Sequence, residues 1–121
     1  MPELCEFDLR FYGYKKWILK KKYSYKVNNR IIEVPANFIT DLASIPKIFQ
    51  NIFEPAGENY TRGAVIHDYL YSKDCKYIDI SRKEADQIFL EIMKERGVPF
   101  WKRHLIYKAV KFFGWIFFRK E

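Results

Sequence analysis

Residues 60–97, YTRGAVIHDYLYSKDCKYIDISRKEADQIFLEIMKERG, decide the fold, because two helix starts lie within them. Thr61 can cap a helix over TRGAVIHDYLYS. Ser81-Arg82-Lys83-Glu84 has the form of a capping box, in which the serine accepts from the third backbone N–H and the glutamate reaches back. Ala85, Ile88, Phe89, Ile92 and Met93 then keep the i, i+3, i+4, i+7, i+8 spacing of a helix with one apolar side, and Gly97 supplies the left-handed residue that ends it. In the first helix the apolar residues nearly encircle the axis. Val65, Ile66, Tyr69 and Leu70 cover most of the circumference, while Ala64, His67, Asp68 and Tyr71 share one stripe. A helix that is apolar almost all round is a buried one, so His67 and Asp68 are expected to face another element rather than water.

Towards the N-terminus the pattern changes from helical to strand-like. A short apolar run spans Trp17 to Leu19, and Tyr23, Tyr25 and Val27 alternate with polar Ser24 and Lys26. Asn28-Asn29, tolerant of positive φ, separates this strand from the β-branched Ile31, Ile32 and Val34, which predicts a hairpin. Pro35 cannot donate to a ladder and ends the hairpin or lies at an edge. VPANFITDLASIP then runs extended into a turn, Ser44 caps a short helix, and EPAGEN is a loop. Towards the C-terminus, Pro99 opens a third helix, PFWKRHLIYKAVKFFGWIFF, with Leu105, Ile106, Ala109, Val110, Phe113 and Phe117 as its apolar set. The expected architecture is α+β: an N-terminal β-hairpin or small antiparallel sheet followed by three packed helices. It forms a single domain over residues 1–121, β-rich over 1–42 and helical over 44–119.

Bulk properties narrow the classes. Hydrophobic residues make up 49% and aromatics 19%, enough for a core of large rings and too much for disorder. The net charge of +7 suits either an acidic partner or plain solubility, since the lysines are scattered through both ends. Cys5 and Cys75 lie far apart with no metal-ligand spacing, so neither a zinc site nor a disulfide scaffold is indicated and a reduced cytosolic setting fits. The N-terminal MPELCEFDLRF lacks the apolar core of a secretory signal, and FFGWIFF is far too short to span a bilayer. No zinc finger, basic recognition helix or RNA-binding signature supports a nucleic-acid partner.

An imidazole and a carboxylate left unpaired inside a core would cost several kcal/mol, so each needs a partner (about 2–7 kcal/mol even for a neutral polar group). Asp86, at the flank of the second helix's apolar stripe, is the best internal candidate. If the two helices pack antiparallel, it can accept the ring N–H of His67 and fix its tautomer. Tyr71, one turn beyond His67, can bond either carboxylate, and Asp41 in ITDLAS is the next residue able to close the cluster. Three readings of these residues remain open: a buried network that fixes helix packing, a catalytic or metal-dependent site, and a ligand site. His104, beside Lys102 and Arg103, reads as a surface histidine.

The motifs VPANFITDLASIP, YTRGAVIHDYLY, SRKEADQIFLEIM and GVPFWKRHLIYKAVKFFG occur in that order between about residues 17 and 114. They resemble the successive motifs of a phage- and prophage-associated family of small proteins of unknown function. That resemblance implies a phage-related origin and an α+β domain, and no activity. A second, local resemblance is to the site of phospholipases A2: His67-Asp68-x-x-Tyr71 on one helix and Asp86 on the next. It implies His67 as general base for water, Asp68 as a calcium ligand, and Asp86 with Tyr71 orienting His67. The glycine-rich calcium loop of that family has only Gly57 in EPAGEN as a counterpart. HD-type phosphohydrolases also pair His-Asp with a distant Asp, but their separate upstream histidine is missing and Asp41 would have to replace it.

The expectation is therefore a phage-encoded hydrolase acting on an ester or phosphoester, either phospholipid or nucleotide. His67, Asp86 and Tyr71 form its catalytic set, and Asp68 with Asp41 holds a divalent cation, calcium or another. Two alternatives stand beside it. One is a non-enzymatic virion, lysis or host-interaction protein that meets a phage or host partner through its aromatic C-terminal helix; the other is a binder of an anionic small molecule or lipid surface. The expected location is the cytoplasm of an infected or lysogenic bacterium, or the virion.

Overall fold

The computed structural model describes residues 3–13, 16–40, 61–73, 75–77 and 79–117. Five strands, β1 (Leu9–Gly13), β2 (Lys16–Leu19), β3 (Tyr23–Val27), β4 (Arg30–Val34) and β5 (Ile39–Thr40), precede three helices, α1 (Thr61–Tyr71), α2 (Arg82–Glu95) and α3 (Phe100–Phe117). The fold is α+β, as the hydrophobic periods imply. The expected Ser44 cap, the EPAGEN loop with Gly57, and Asp41 all lie outside the described residues.

The strands form two antiparallel sheets, β1-β2-β5 and β3-β4. Asn28 and Asn29 take φ of 51° and 61°, the pair of positive values that a two-residue type I′ turn requires, and this sets Tyr25 opposite Ile32. β4 stops at Val34, directly before Pro35. The run Trp17–Leu19 becomes the middle strand of the other sheet, pairing Trp17 with Phe11 on one side and Thr40 on the other. β1 has no counterpart in the sequence reading, and its burial explains why. Arg10, Phe11 and Tyr12 are all exposed, so LRFYG shows no alternation, and the strand is held by its ladder and by Phe11 meeting Trp17 edge to face at 5.5 Å.

Both capping predictions for α2 hold. Ser81 Oγ accepts from the Glu84 N–H at 3.1 Å and Glu84 Oε1 accepts from the Ser81 N–H at 3.2 Å. At the other end Gly97 adopts φ 88°, and the N–H groups of Gly97 and Val98 return to the carbonyls of Lys94 and Met93, a Schellman closure. The inward side chains of β3 and β4 pack with Ala64, Ile66 and Leu70 of α1, with Phe89, Ile92 and Met93 of α2, and with Ile106 of α3 in one core.

Two features fix α1 in place. At Gly63 the helix approaches α2 so closely that a Cβ there would lie 2.9 Å from Phe89 Cδ1 and 3.2 Å from Ile92 Cγ2. At its start, Arg62 and the Tyr23 hydroxyl both donate to Glu3, which Arg96 also approaches at 3.9 Å. Burial alone would push the Glu3 carboxyl up. The Tyr23 hydroxyl and the two guanidinium groups more than offset this and hold it below 4.5. On the far side of the hairpin, Arg30 grips Asp79 through two bonds of 2.9 and 3.0 Å, joining the turn to the segment between α1 and α2.

Gly63→Ala is expected to lower stability by about 1–3 kcal/mol in urea unfolding, because overpacking against Phe89 outweighs the better helix propensity of alanine. Gly13→Ala, which meets nothing within 4 Å, should leave stability nearly unchanged. A second test concerns acid. A carboxyl whose pKa is depressed on folding contributes stability that is present above its unfolded value and lost as pH falls through the folded one. The stability difference between the native chain and Glu3→Gln should therefore be largest near neutrality and shrink below 4.5; a constant difference across that range would refute the ionic role of Glu3.

Candidate functional site

Gly63 faces Phe89 and Ile92 while His67 and Tyr71 face Asp86, so positions that rise along α1 meet positions that fall along α2. The two helices are antiparallel, and this crossing builds the site. His67 Nε2 lies 2.7 Å from Asp86 Oδ1, and the Tyr71 hydroxyl donates to the same oxygen at 2.6 Å. His67 is 3% exposed and Asp86 2%, which places the triad in the core. The imidazole lies between two rings, with centroid distances of 4.2 Å to Tyr71 and 4.9 Å to Phe89.

A buried carboxylate is tolerable only where donors replace its lost water, and here an N–H and an O–H both point at one oxygen. The same proximity acts on the phenol. Burial, and then the bond to Asp86, push Tyr71 far above the usual tyrosine range, against a weaker opposing pull from the charge of Arg82. With an ionised Asp86 accepting from both groups, Nε2 carries the hydrogen, and in the neutral imidazole this leaves the lone pair on Nδ1. Among the described residues nothing bonds that nitrogen: His67 Nδ1 is buried and has no hydrogen-bond partner.

Asp68 takes a different direction. Adjacent residues on a helix are about 100° apart, and Asp68, half-buried, turns towards the sheet, where Thr40 Oγ1 of β5 donates to its Oδ2 at 2.7 Å. The sequence stripe Ala64, His67, Asp68, Tyr71 is thus divided: His67 and Tyr71 meet Asp86 as expected, and Asp68 bonds Thr40 instead. Asp41 lies outside the described residues, although its neighbour Thr40 is the residue that holds Asp68. Among the described residues no group of three carboxylate, imidazole or thiolate side chains gathers as a metal-binding set. The sequence reading missed Thr40, whose only signal is its place beside Asp41, and the rings of Tyr71 and Phe89 that enclose the imidazole. His104 is half-buried and stacks on Phe100, with ring centroids 4.3 Å apart, away from this network.

Comparison with known proteins fits this picture without supplying an activity. Residues 17–110 match the family described as Protein of unknown function (DUF1353), and the chain belongs to that family. An uncharacterized protein of Sinorhizobium fredii, y4jT, is 34% identical over 82 residues, which is 67% of this chain and 23% of that protein. The chain therefore spans about a quarter of that relative's length. No solved structure matches. No helix among the described residues is long and apolar enough to cross a membrane.

The hydrogen-bond geometry fixes an observable. Nitrogen-15 NMR of His67 should show the Nε2–H form with a slowly exchanging proton and an unprotonated Nδ1. A proton on Nδ1 would contradict the assignment. Tyr71→Phe deprives Asp86 of one donor and should destabilise the fold by about 1–3 kcal/mol while speeding exchange at Nε2.

Proposed function

We propose that this chain is a small hydrolase in which His67 Nδ1 is the general base for an attacking water and Asp86, with Tyr71, orients and supports the imidazole. The observation that carries the reading is the division of labour within one ring: Nε2 is held by a buried carboxylate, and Nδ1 keeps its lone pair with no partner among the described residues. In the reaction, Nδ1 removes a proton from water as the water oxygen attacks the carbonyl or phosphoryl centre. The positive charge that develops on the ring is stabilised by Asp86 through Nε2–H, and the proton then passes to the departing alkoxide. The substrate class is an ester or phosphoester, phospholipid or nucleotide.

Asp68, one residue on and tied to β5 through Thr40, would position the substrate. In a metal-dependent form it would hold a divalent cation together with Asp41. The ordered motifs from VPANFITDLASIP to HLIYKAVKFFG support a phage or prophage origin, and with it a place in the cytoplasm of an infected bacterium or in the virion.

A second reading has its own observation. The deep burial of His67 and Asp86 suits a non-enzymatic phage protein in which the triad only clamps α1 to α2. Purified protein assayed on phospholipid and nucleotide esters, with and without Ca²⁺, Mg²⁺, Mn²⁺ or Zn²⁺, separates the two. For a hydrolase, His67→Ala should lower kcat by about 10²–10⁴-fold. Asp68→Asn, which can still accept from Thr40, should lower turnover with little change in melting temperature. A native protein that neither turns over any of these esters nor gains thermal stability with any of the cations would leave the clamp as the reading, and there His67→Ala should chiefly lower the melting temperature.

A further inference from the structure

A second feature lies on the outside of the helical layer. Lys108, Lys111 and Phe112 are spaced i, i+3, i+4 on α3 and so share one side of it, and Arg82 reaches across from the first turn of α2. Together they line a wide, shallow surface cleft of about 480 Å³. Arg82 leans towards α3, its Nη1 making a long 3.4 Å hydrogen bond to the Lys111 carbonyl. Several cations elsewhere are neutralised: Arg30 meets Asp79, Arg62 meets Glu3, and Lys76 meets Glu33. Among the described residues Arg82, Lys108 and Lys111 have no carboxylate within ion-pair distance, and no carboxylate lines the cleft.

Three unneutralised cations around a concavity repel one another, an arrangement that an anion relieves. The fork of Arg82 suits a planar or tetrahedral oxyanion, and the two lysines add point charges beside it. Phe112, 70% exposed, forms an apolar wall to the same cleft, which favours an anion attached to an apolar or aromatic body over a bare ion. We infer that the cleft between Arg82 of α2 and Lys108, Lys111 and Phe112 of α3 is a binding site for a phosphate group carried on an apolar body. This site is separate from His67 and stands whether or not His67 catalyses.

The test is a titration of the full chain at low salt with phenyl phosphate, inorganic phosphate and benzyl alcohol, followed by amide NMR. Phenyl phosphate should bind more tightly than inorganic phosphate, benzyl alcohol should not bind, and the shifts should centre on the cleft. Lys108→Gln and Lys111→Gln, both exposed substitutions, should each weaken phenyl phosphate about tenfold and leave the melting temperature unchanged. Lys21→Gln, whose ammonium is already paired with Glu6, should have no effect. Vesicles of phosphatidylglycerol against phosphatidylcholine distinguish the two sources. Selective binding that phenyl phosphate displaces assigns a lipid headgroup, and soluble binding alone assigns a free phosphate ester. Absence of phenyl phosphate binding, or equal weakening by Lys21→Gln and Lys111→Gln, would overturn the proposal.

Discussion

The helical half of this molecule turns on one carboxylate. Asp86 sits on an otherwise apolar side of α2, and the fold must bring two donors to it or leave a charge stranded in the core. Among the described residues α1 supplies them, lying antiparallel and close so that His67 and Tyr71 both reach Oδ1 from successive turns. Gly63 permits that approach one turn earlier, where no side chain separates the backbone of α1 from Phe89 and Ile92. Hydrogen bonding and close packing therefore set the same crossing, the first through direction and the second through distance. Neither would suffice alone: packing tolerates sliding, and hydrogen bonds to one oxygen leave the separation of the helices elsewhere undetermined.

The sheets complete the arrangement by acting on a second side of α1, about 100° round the helix from His67. Thr40, buried at the end of β5, takes the carboxylate of Asp68, so adjacent residues His67 and Asp68 are anchored to different layers. Rotation of α1 about its axis is blocked from both sides, since any turn that relaxed one bond would strain the other. The hairpin adds a third anchor through Tyr25, whose hydroxyl reaches Glu95 of α2 at 3.1 Å; burial first, and then that carboxylate, raise its pKa to about 12.

Much of this was legible in the residues because it rests on local rules. Asn28-Asn29 predicts a type I′ hairpin, Ser81 with Glu84 predicts a helix start, and Gly97 predicts its end; each is a statement about a few neighbouring dihedrals. The pairing of His67 with Asp86 was legible for a less local reason: a polar side chain on an apolar helix needs a partner, and few candidates lay on facing stripes. What escaped the sequence depends on positions distant in the chain. β1 is an exposed edge whose residues carry no period, and the bond from Thr40 to Asp68 requires knowing that β5 ends beside α1. Helical spacing groups His67 with Asp68 as near neighbours, but their 100° separation becomes decisive only once two layers compete for them.

The bare nitrogen of His67 gives the network its meaning. A clamp between helices does not require an imidazole: leucine and phenylalanine at these positions would bury comparable area with no polar atom to satisfy, and buried ionic clusters are often matched or exceeded in stability by apolar replacements. Among the described residues the imidazole has one nitrogen paired and the other without a partner, the costly variant, because a desolvated acceptor without a donor forfeits about 1–3 kcal/mol. At that nitrogen a donor could be accepted without breaking either bond that holds α1 to α2 through Asp86.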